Sequence, residues 1–495
     1  MNILFVCSVY YPVTGGAQDP IDQLGAELVA RGHHVDVLTR HVPDTTPKEE
    51  MRGGVRIHRV PNAVLPSDFQ ALTAELRQFA RTVRRPDVIH VVGLRRPLPM
   101  VAELLACLWH VPVIQTVGGY DIPDVVDPDP RLVWLTGRDF VLPAMRRADL
   151  LNAASDDLAR QTELLVGEKA PVPTLYVGID HDLFSAAQPH GKAADWGPYV
   201  LSLRRLEPAK SVDKTVEALS LLKDEIPELQ LVVAGDGSER AALEEYVERL
   251  GLGSRVHFVG EVPIEEAASL LKGAFATVVA SKSEGGGLVN VEAQAAGCPV
   301  IATRAGGISE YLGGESGALY VDVPDGALIA DALRTLWHDP QAREELVAAA
   351  RPLSERLSTR SLAAEYTAVY ADLAEAYEAR EFVPWDGITS ALWEELAVPA
   401  GRTPTLDEPW RVPLAVEELI LSTADPQFRA LGRGANAFYY LAWSSGVPVE
   451  QLHKVCAFVL QATEGMPADT VAAGLEHAAD WGRFDSESCL GYIRN

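Results

Sequence analysis

Residues 274–297 read A-F-A-T-V-V-A-S-K-S-E-G-G-G-L-V-N-V-E-A-Q-A-A-G, and their order decides what kind of sheet this chain builds. The apolar run Ala274 to Ala280 suits a strand covered on both faces. Gly285, Gly286 and Gly287 then turn the chain, and Val289 to Ala296 are good helix formers. A strand that passes through a glycine turn into a helix is the repeating half of a parallel, doubly wound sheet. The helix start also carries unpaired backbone N–H groups and the positive end of the dipole, which together attract an anion. Two acids flank the turn, Glu284 before it and Glu292 within the helix. They are spaced to hydrogen-bond the hydroxyls on either side of bound phosphates, a sugar on one side and a ribose on the other. Read without context, the same two residues are a helix-start acid and a surface acid.

The strand-to-helix alternation recurs outward from this stretch. Short runs of Val, Ile and Leu alternate with longer helical patterns from Met1 to about Val177 and again from Tyr199 to about Leu336. The fold class is therefore α/β, with two Rossmann-like, doubly wound domains. Residues 185–198, S-A-A-Q-P-H-G-K-A-A-D-W-G-P, are polar and rich in helix breakers, and read as the linker between domains spanning 1–184 and 199–360. Ligands of such sheets bind outside the carboxyl ends of the strands, so two facing sheets make a cleft. From Ser361 the apolar positions Leu362, Ala363, Tyr366, Val369, Tyr370 and Leu373 give a helical period for a closing helix over 361–380.

Residues 381–495 form an additional, mainly helical segment. Its aromatic residues, among them Trp385, Trp393, Trp410, Trp443 and Trp481, require burial. They are expected to pack on the rest of the chain or in a homodimer contact beyond Arg380, with a place over one side of the cleft as the second reading.

Bulk properties narrow the partners. The 495 residues are 47% hydrophobic and 23% charged, which excludes wholesale disorder. A formal charge of −26 argues against nucleic acid and against anionic membranes. Arg77, Arg81, Arg84 and Arg85 accompany an amphipathic helix over 69–83 and are the exception to weigh. No apolar run reaches membrane-spanning length, and the N-terminus enters a strand with no basic leader. Five scattered cysteines without a C-x-x-C pair fit reduced thiols, and the expected location is the cytoplasm. No metal site is expected, since Asp127-Pro128-Asp129-Pro130 is held as a turn by its prolines.

Several blocks, taken in order, resemble the retaining GT-B glycosyltransferases of family four over about the first three-quarters of the chain. They are Asn2 to Val6, Gly15-Gly16, Asp87 to His90, Gly178-Ile179-Asp180, Arg205-Leu206 with Lys210, Leu231 to Gly237, Arg255 to Gly260, the Glu284 and Glu292 pair, and Gly297 to Thr303. The resemblance implies a GT-B fold and transfer of a sugar from a nucleotide-diphosphate donor with the anomeric configuration kept. It implies that Glu284 holds donor-sugar hydroxyls, that Glu292 takes the ribose, and that the backbone of Gly287, Leu288 and Val289 meets sugar and phosphates. Gly15 and Gly16 would approach the donor closely, though a tight turn alone would also use them.

Arg205 and Lys210 read either as solvated cations at a strand end or as the metal-free charge that steadies a leaving diphosphate. With no residue placed as a covalent nucleophile, same-face substitution onto a small soluble acceptor is the expected chemistry. On the acceptor side stand Tyr120, Asp121, Arg95 and Arg96, which a turn and solvent would equally explain. Three positions depart from the family pattern: Gly118 where His is frequent, Arg204 where Gly is usual, and Gly286 in place of an aromatic, read as a wider sugar pocket. A non-catalytic sugar-nucleotide-binding protein and a nucleotide-sugar epimerase of the same architecture are the rival readings.

Overall fold

The computed structural model describes residues 1–8, 10–11, 18–41, 46–61, 66–94, 98–109, 111–118, 145, 148–167, 171–282 and 284–378. The expectations for Gly15, Gly16, Arg95, Arg96, Tyr120, Asp121 and everything beyond Arg380 lie outside these residues. The chain divides into two compact units. One holds Met1–Asn152, Leu165–Gly167 and the described residues from Thr367 onward; the other holds Ala153–Leu164 and Glu168–Tyr366.

The first unit is built on a sheet of β1 (Asn2–Cys7), β2 (His34–Arg40), β3 (Glu49–Arg52), β4 (Val55–Val60), β5 (Val88–Val92), β6 (Val113–Val117) and β7 (Leu150–Ala153), in the order β3-β4-β2-β1-β5-β6-β7. The pairs β1–β2, β1–β5, β2–β4 and β5–β6 are parallel, and β3 is antiparallel to β4. Ile3, Leu4, Phe5 and Val6 are each at most 1% exposed, so β1 is apolar on both faces because helices cover both. Burial of each such side chain contributes about 1.5–3 kcal/mol.

The helix Pro66–Thr82 turns Leu72, Leu76 and Phe79 into this core, with Phe79 against His58 and Trp109. Its apolar stripe is thus a core face. Arg84 and Arg85 lie past the helix end, and Arg85 donates to the Trp109 carbonyl at 2.7 Å.

One buried polar chain crosses the sheet of the first unit. The Tyr370 hydroxyl lies 2.7 Å from His90 Nδ1, His90 Nε2 lies 2.6 Å from Thr116 Oγ1, and Thr116 donates to Asn152 Oδ1 at 3.0 Å. Because the threonine hydroxyl is spent on Asn152, the imidazole must donate from Nε2 and accept from Tyr370 at Nδ1. Burial pushes the His90 pKa down to about 3, so the ring is neutral. Tyr370 belongs to the helix Thr359–Glu378, so this network fixes the end of that helix onto β5 and β6.

The second unit carries an all-parallel sheet of β8 (Tyr199–Leu203), β9 (Gln230–Ala234), β10 (Val256–Gly260), β11 (Ala276–Val279), β12 (Val300–Thr303) and β13 (Leu319–Val321), in the order β10-β9-β8-β11-β12-β13. Leu231, Val232, Val233 and Ala234 are fully buried, again the continuous apolar strand of a doubly covered sheet. The helices Val212–Leu222 and Gly326–His338 cover one face through Val216, Leu219, Ile329 and Leu333. Within 185–198 the chain forms the short helix Ala193–Trp196.

Candidate active site

The second sheet grows from β8 through β9 to β10, then returns to place β11 on the other side of β8. The order reverses between β8 and β11, so the loops leaving these two strands diverge around one crevice, the position where ligands of open α/β sheets bind. The loop after β8 carries Arg204 and Arg205 and closes in a 3-10 turn, Pro208–Lys210. The loop after β11 carries Ser281, Glu284 and the three glycines, and is tied to the first by Lys282 N–H donating to the Ala209 carbonyl at 2.9 Å.

Both loops are braced by glycines whose missing Cβ is needed. A Cβ on Gly235 would stand 2.1 Å from the Arg204 carbonyl oxygen, and one on Gly237 would stand 2.4 Å from that of Leu206. The loop after β9 therefore lies flat on the loop after β8, and Arg204 N–H donates to Ala234 at 2.9 Å. On the other side, a Cβ on Gly306 would stand 2.0 Å from the Glu284 carbonyl oxygen and one on Gly307 would stand 2.4 Å from that of Gly285.

Glu284 is the centre of this construction. Its Oε2 accepts from Lys210 Nζ at 2.7 Å, from Ser281 Oγ at 3.0 Å and from Arg204 Nη2 at 3.3 Å. Its Oε1 takes no bond from the described residues, so three donors fix the carboxylate through one oxygen and leave the other to a ligand. Burial raises the Glu284 pKa, but Lys210 and Arg204 outweigh it and hold the carboxyl below its ordinary range. For Lys210, burial lowers the pKa and prevails over the raising effect of Glu284, with Arg204 and Arg205 adding to the lowering. A carboxylate kept ionised beside a lysine eased toward deprotonation is a cluster under electrostatic tension, as functional sites are.

The loop after β11 ends at Gly287, with φ 74° and ψ 67°, which caps the helix Leu288–Ala296. That left-handed geometry favours glycine. No side chain caps this end, so the amide groups of Leu288 and Val289 face outward with no helical acceptor. Glu292 is half-buried on the same helix. Asn290 is fully buried, and neither carboxamide atom has a partner among the described residues.

The structure thus joins Glu284, Lys210 and the start of the helix. The Arg205 side chain makes no bond to Glu284: it is 50% exposed and pairs with Glu207 at 2.7 Å, yet lies near enough to Lys210 to act on its pKa. The cation beside Glu284 is its neighbour Arg204, at 7% exposure. Sequence reasoning also passed over Ser281, the pair Gly306-Gly307 and Tyr311. The glycine pair after an apolar strand was a visible signal, of the same kind as Gly15-Gly16.

Tyr311 corrects the reading of Gly286 as added width. A Cβ there would stand 2.4 Å from Cε2 of the tyrosine ring, which already fills the place of a side chain. The Tyr311 hydroxyl donates to the Ala154 carbonyl at 2.7 Å and accepts from Val177 N–H at 3.0 Å.

Known proteins bear on this geometry. Residues 188–352 match the family model described as glycosyl transferases group 1, and residues 15–178 the one described as a glycosyl transferase 4-like domain. The D-inositol 3-phosphate glycosyltransferase of Kribbella flavida is 30% identical over 371 residues, 68% of this chain and 85% of that protein. The N-acetyl-alpha-D-glucosaminyl L-malate synthase of Bacillus anthracis is 26% identical over 378 residues, 73% of this chain and 95% of that protein. The crystal structure of Anabaena HepE in complex with UDP-glucose superposes with a TM-score of 0.60 at 18% identity, over 75% of this chain and all of that one, a likeness of fold.

Proposed function

The chain belongs to the glycosyl transferases group 1 and has the GT-B fold, and from that premise we propose that it moves a sugar from a nucleoside diphosphate donor to a small soluble acceptor with retention of configuration. The observation that carries the reading is Glu284, held through Oε2 by Lys210, Arg204 and Ser281 at the foot of an uncapped helix start. The diphosphate takes the Leu288 and Val289 amides, with Lys210 and Arg205 as its cations and Glu292 on the ribose. HepE is described in complex with UDP-glucose, and a uridine nucleotide is the first to try here.

In the transfer step the bond from the anomeric carbon to the phosphate oxygen breaks. The acceptor oxygen bonds to that carbon on the same face, and its proton passes to the departing phosphate. Lys210 and Arg205 balance the charge that appears on the phosphate, with no metal needed. Glu284 orients the sugar through Oε1. A carboxylate already accepting three hydrogen bonds is a poor nucleophile, which favours this route over a covalent sugar intermediate. The relatives named for L-malate and D-inositol 3-phosphate point to a small anionic acceptor.

The test is to offer UDP-, GDP- and ADP-sugars first without and then with L-malate or D-inositol 3-phosphate. Release of nucleoside diphosphate and an α-glycoside by NMR are expected. Binding with no release would leave a sugar-nucleotide-binding protein, an isomerised donor would mark an epimerase, and a β-glycoside would overturn retention.

A further inference from the structure

Lys210 has two demands on it. It donates to Glu284 Oε2 at 2.7 Å, and under the function proposed above it also meets the donor's phosphates. An isolated Lys–Glu pair is electrically neutral and draws no anion. A lysine that leaves such a pair strands a buried carboxylate, which is strongly unfavourable. Arg204 removes both obstacles. Its guanidinium reaches Glu284 Oε2 at 3.3 Å and Ser281 Oγ at 2.9 Å, while Ser281 itself donates to Glu284 at 3.0 Å. One carboxylate with two cations leaves one positive charge over.

The backbone of Arg204 cannot drift, because its N–H is bonded to Ala234 and its carbonyl lies against Gly235. The remaining charged neighbours are committed elsewhere or act through Lys210. Arg205 pairs with Glu207, and Glu310, on the helix Ile308–Tyr311, accepts from the amides of Asp156 and Asp157.

We propose that Arg204 is a positioning residue, a second counter-ion that keeps Glu284 ionised and in place so that Lys210 is free to turn to the diphosphate. The inference rests on the function proposed for the same site. It assigns Arg204 work in the reaction without contact to the substrate: the arginine holds the carboxylate, and the lysine is shared between carboxylate and phosphate.

The experiment uses the full chain with R204Q and R204K, following UDP binding by calorimetry and UDP-glucose hydrolysis across pH, or the ADP or GDP counterparts if the parent uses those. R204Q is expected to weaken UDP binding roughly tenfold or more, since a charge-assisted contact that frees Lys210 is lost. It is also expected to move the acid limb of kcat/KM upward, because Glu284 then has one cation fewer favouring its charged form. R204K, which keeps the charge, is expected to recover most of the affinity and the position of the limb. Parent-like affinity and an unmoved limb in R204Q would overturn the role. An R204K variant as impaired as R204Q, with the limb unmoved, would reduce Arg204 to packing. Should R204Q fail to fold, R204K decides by the same two readings. A parent that binds and hydrolyses no nucleotide sugar refutes the proposed function, and Arg204's role falls with it; a parent that does so beside an unaffected R204Q refutes the role alone.

Discussion

A buried polar cluster of the first unit and one of the second are made of opposite materials. In the first unit the chain Tyr370–His90–Thr116–Asn152 is uncharged. The Tyr370, His90 and Thr116 donors each have an acceptor within the chain, while Asn152 Nδ2 has none among the described residues. In the second unit Glu284, Lys210 and Arg204 are ions, partly exposed at 17%, 9% and 7%, with one carboxylate oxygen uncommitted. A neutral network of this kind specifies a packing arrangement. A charged cluster with a surplus cation has partners to exchange, as binding sites do.

The largest effect expected from this contrast is on catalysis in the second unit. Lys210→Ala should slow turnover by roughly a hundredfold or more, the loss typical when a preorganised charge facing a developing anion is removed. Single-turnover rates with saturating donor would measure it, and a variant within a fewfold of the parent would remove Lys210 from the mechanism. Next, Glu292→Ala should weaken nucleoside diphosphate binding by about 1.5–3 kcal/mol, the worth of hydrogen bonds to a charged acceptor, while the rate at saturation changes less. Calorimetric titration checks it; unchanged affinity would mean that the ribose lies elsewhere.

The neutral cluster should answer to pH instead. His90 stays uncharged in the fold down to about pH 3, whereas the unfolded chain takes up that proton near 6.5. Stability is therefore fully present above pH 6.5 and falls as pH drops toward 3, by up to about 1.4 kcal/mol per pH unit. His90→Gln can keep a donor and an acceptor but has no proton to gain, so denaturant midpoints should show a shallower slope over that window. An identical slope would place the pH sensitivity in other groups. Glu284 differs in sign of cause: its lowered pKa makes a contribution that is present above the ordinary carboxylate range and lost as pH falls through the depressed value.

The smallest effect belongs to Ser211, which has φ 49° and ψ 43° beside Lys210, the one non-glycine residue of positive φ among the described residues. Ser211→Gly should stabilise the protein by about 1 kcal/mol through relief of that strain. An unmoved melting temperature would show the strain to be compensated locally. The first unit has no such residue among those described, which fits a cluster that positions nothing for chemistry.

What the sequence made legible follows from range. Apolar runs such as Leu231 to Ala234 announced strands covered on both faces, and the glycine turn after Ala280 announced the helix start, since both are settled within a few residues. Which of the two arginines after β8 is buried against Glu284 was not legible. Consecutive residues leaving a strand point in opposite directions, so a displacement of one position exchanges a buried cation for a solvated one. Arg204 and Arg205 are that exchange. The order of strands, which makes the loops after β8 and β11 neighbours, arises from contacts between residues about 80 apart and left no local mark. Nor did the fit of Gly286 against Tyr311, 25 positions further on, though both letters were in view.

That fit makes positions 286 and 311 a single unit of change. A phenylalanine introduced at Gly286 meets the tyrosine ring before it meets any substrate, so the substitution alone must dislodge a side chain anchored to Ala154 and Val177. Removing the ring first opens the space but releases both anchors. Redesign at this wall therefore has to proceed by exchange, one aromatic surrendered at 311 for one gained at 286, and an aromatic placed at 286 alone is expected to destabilise the protein.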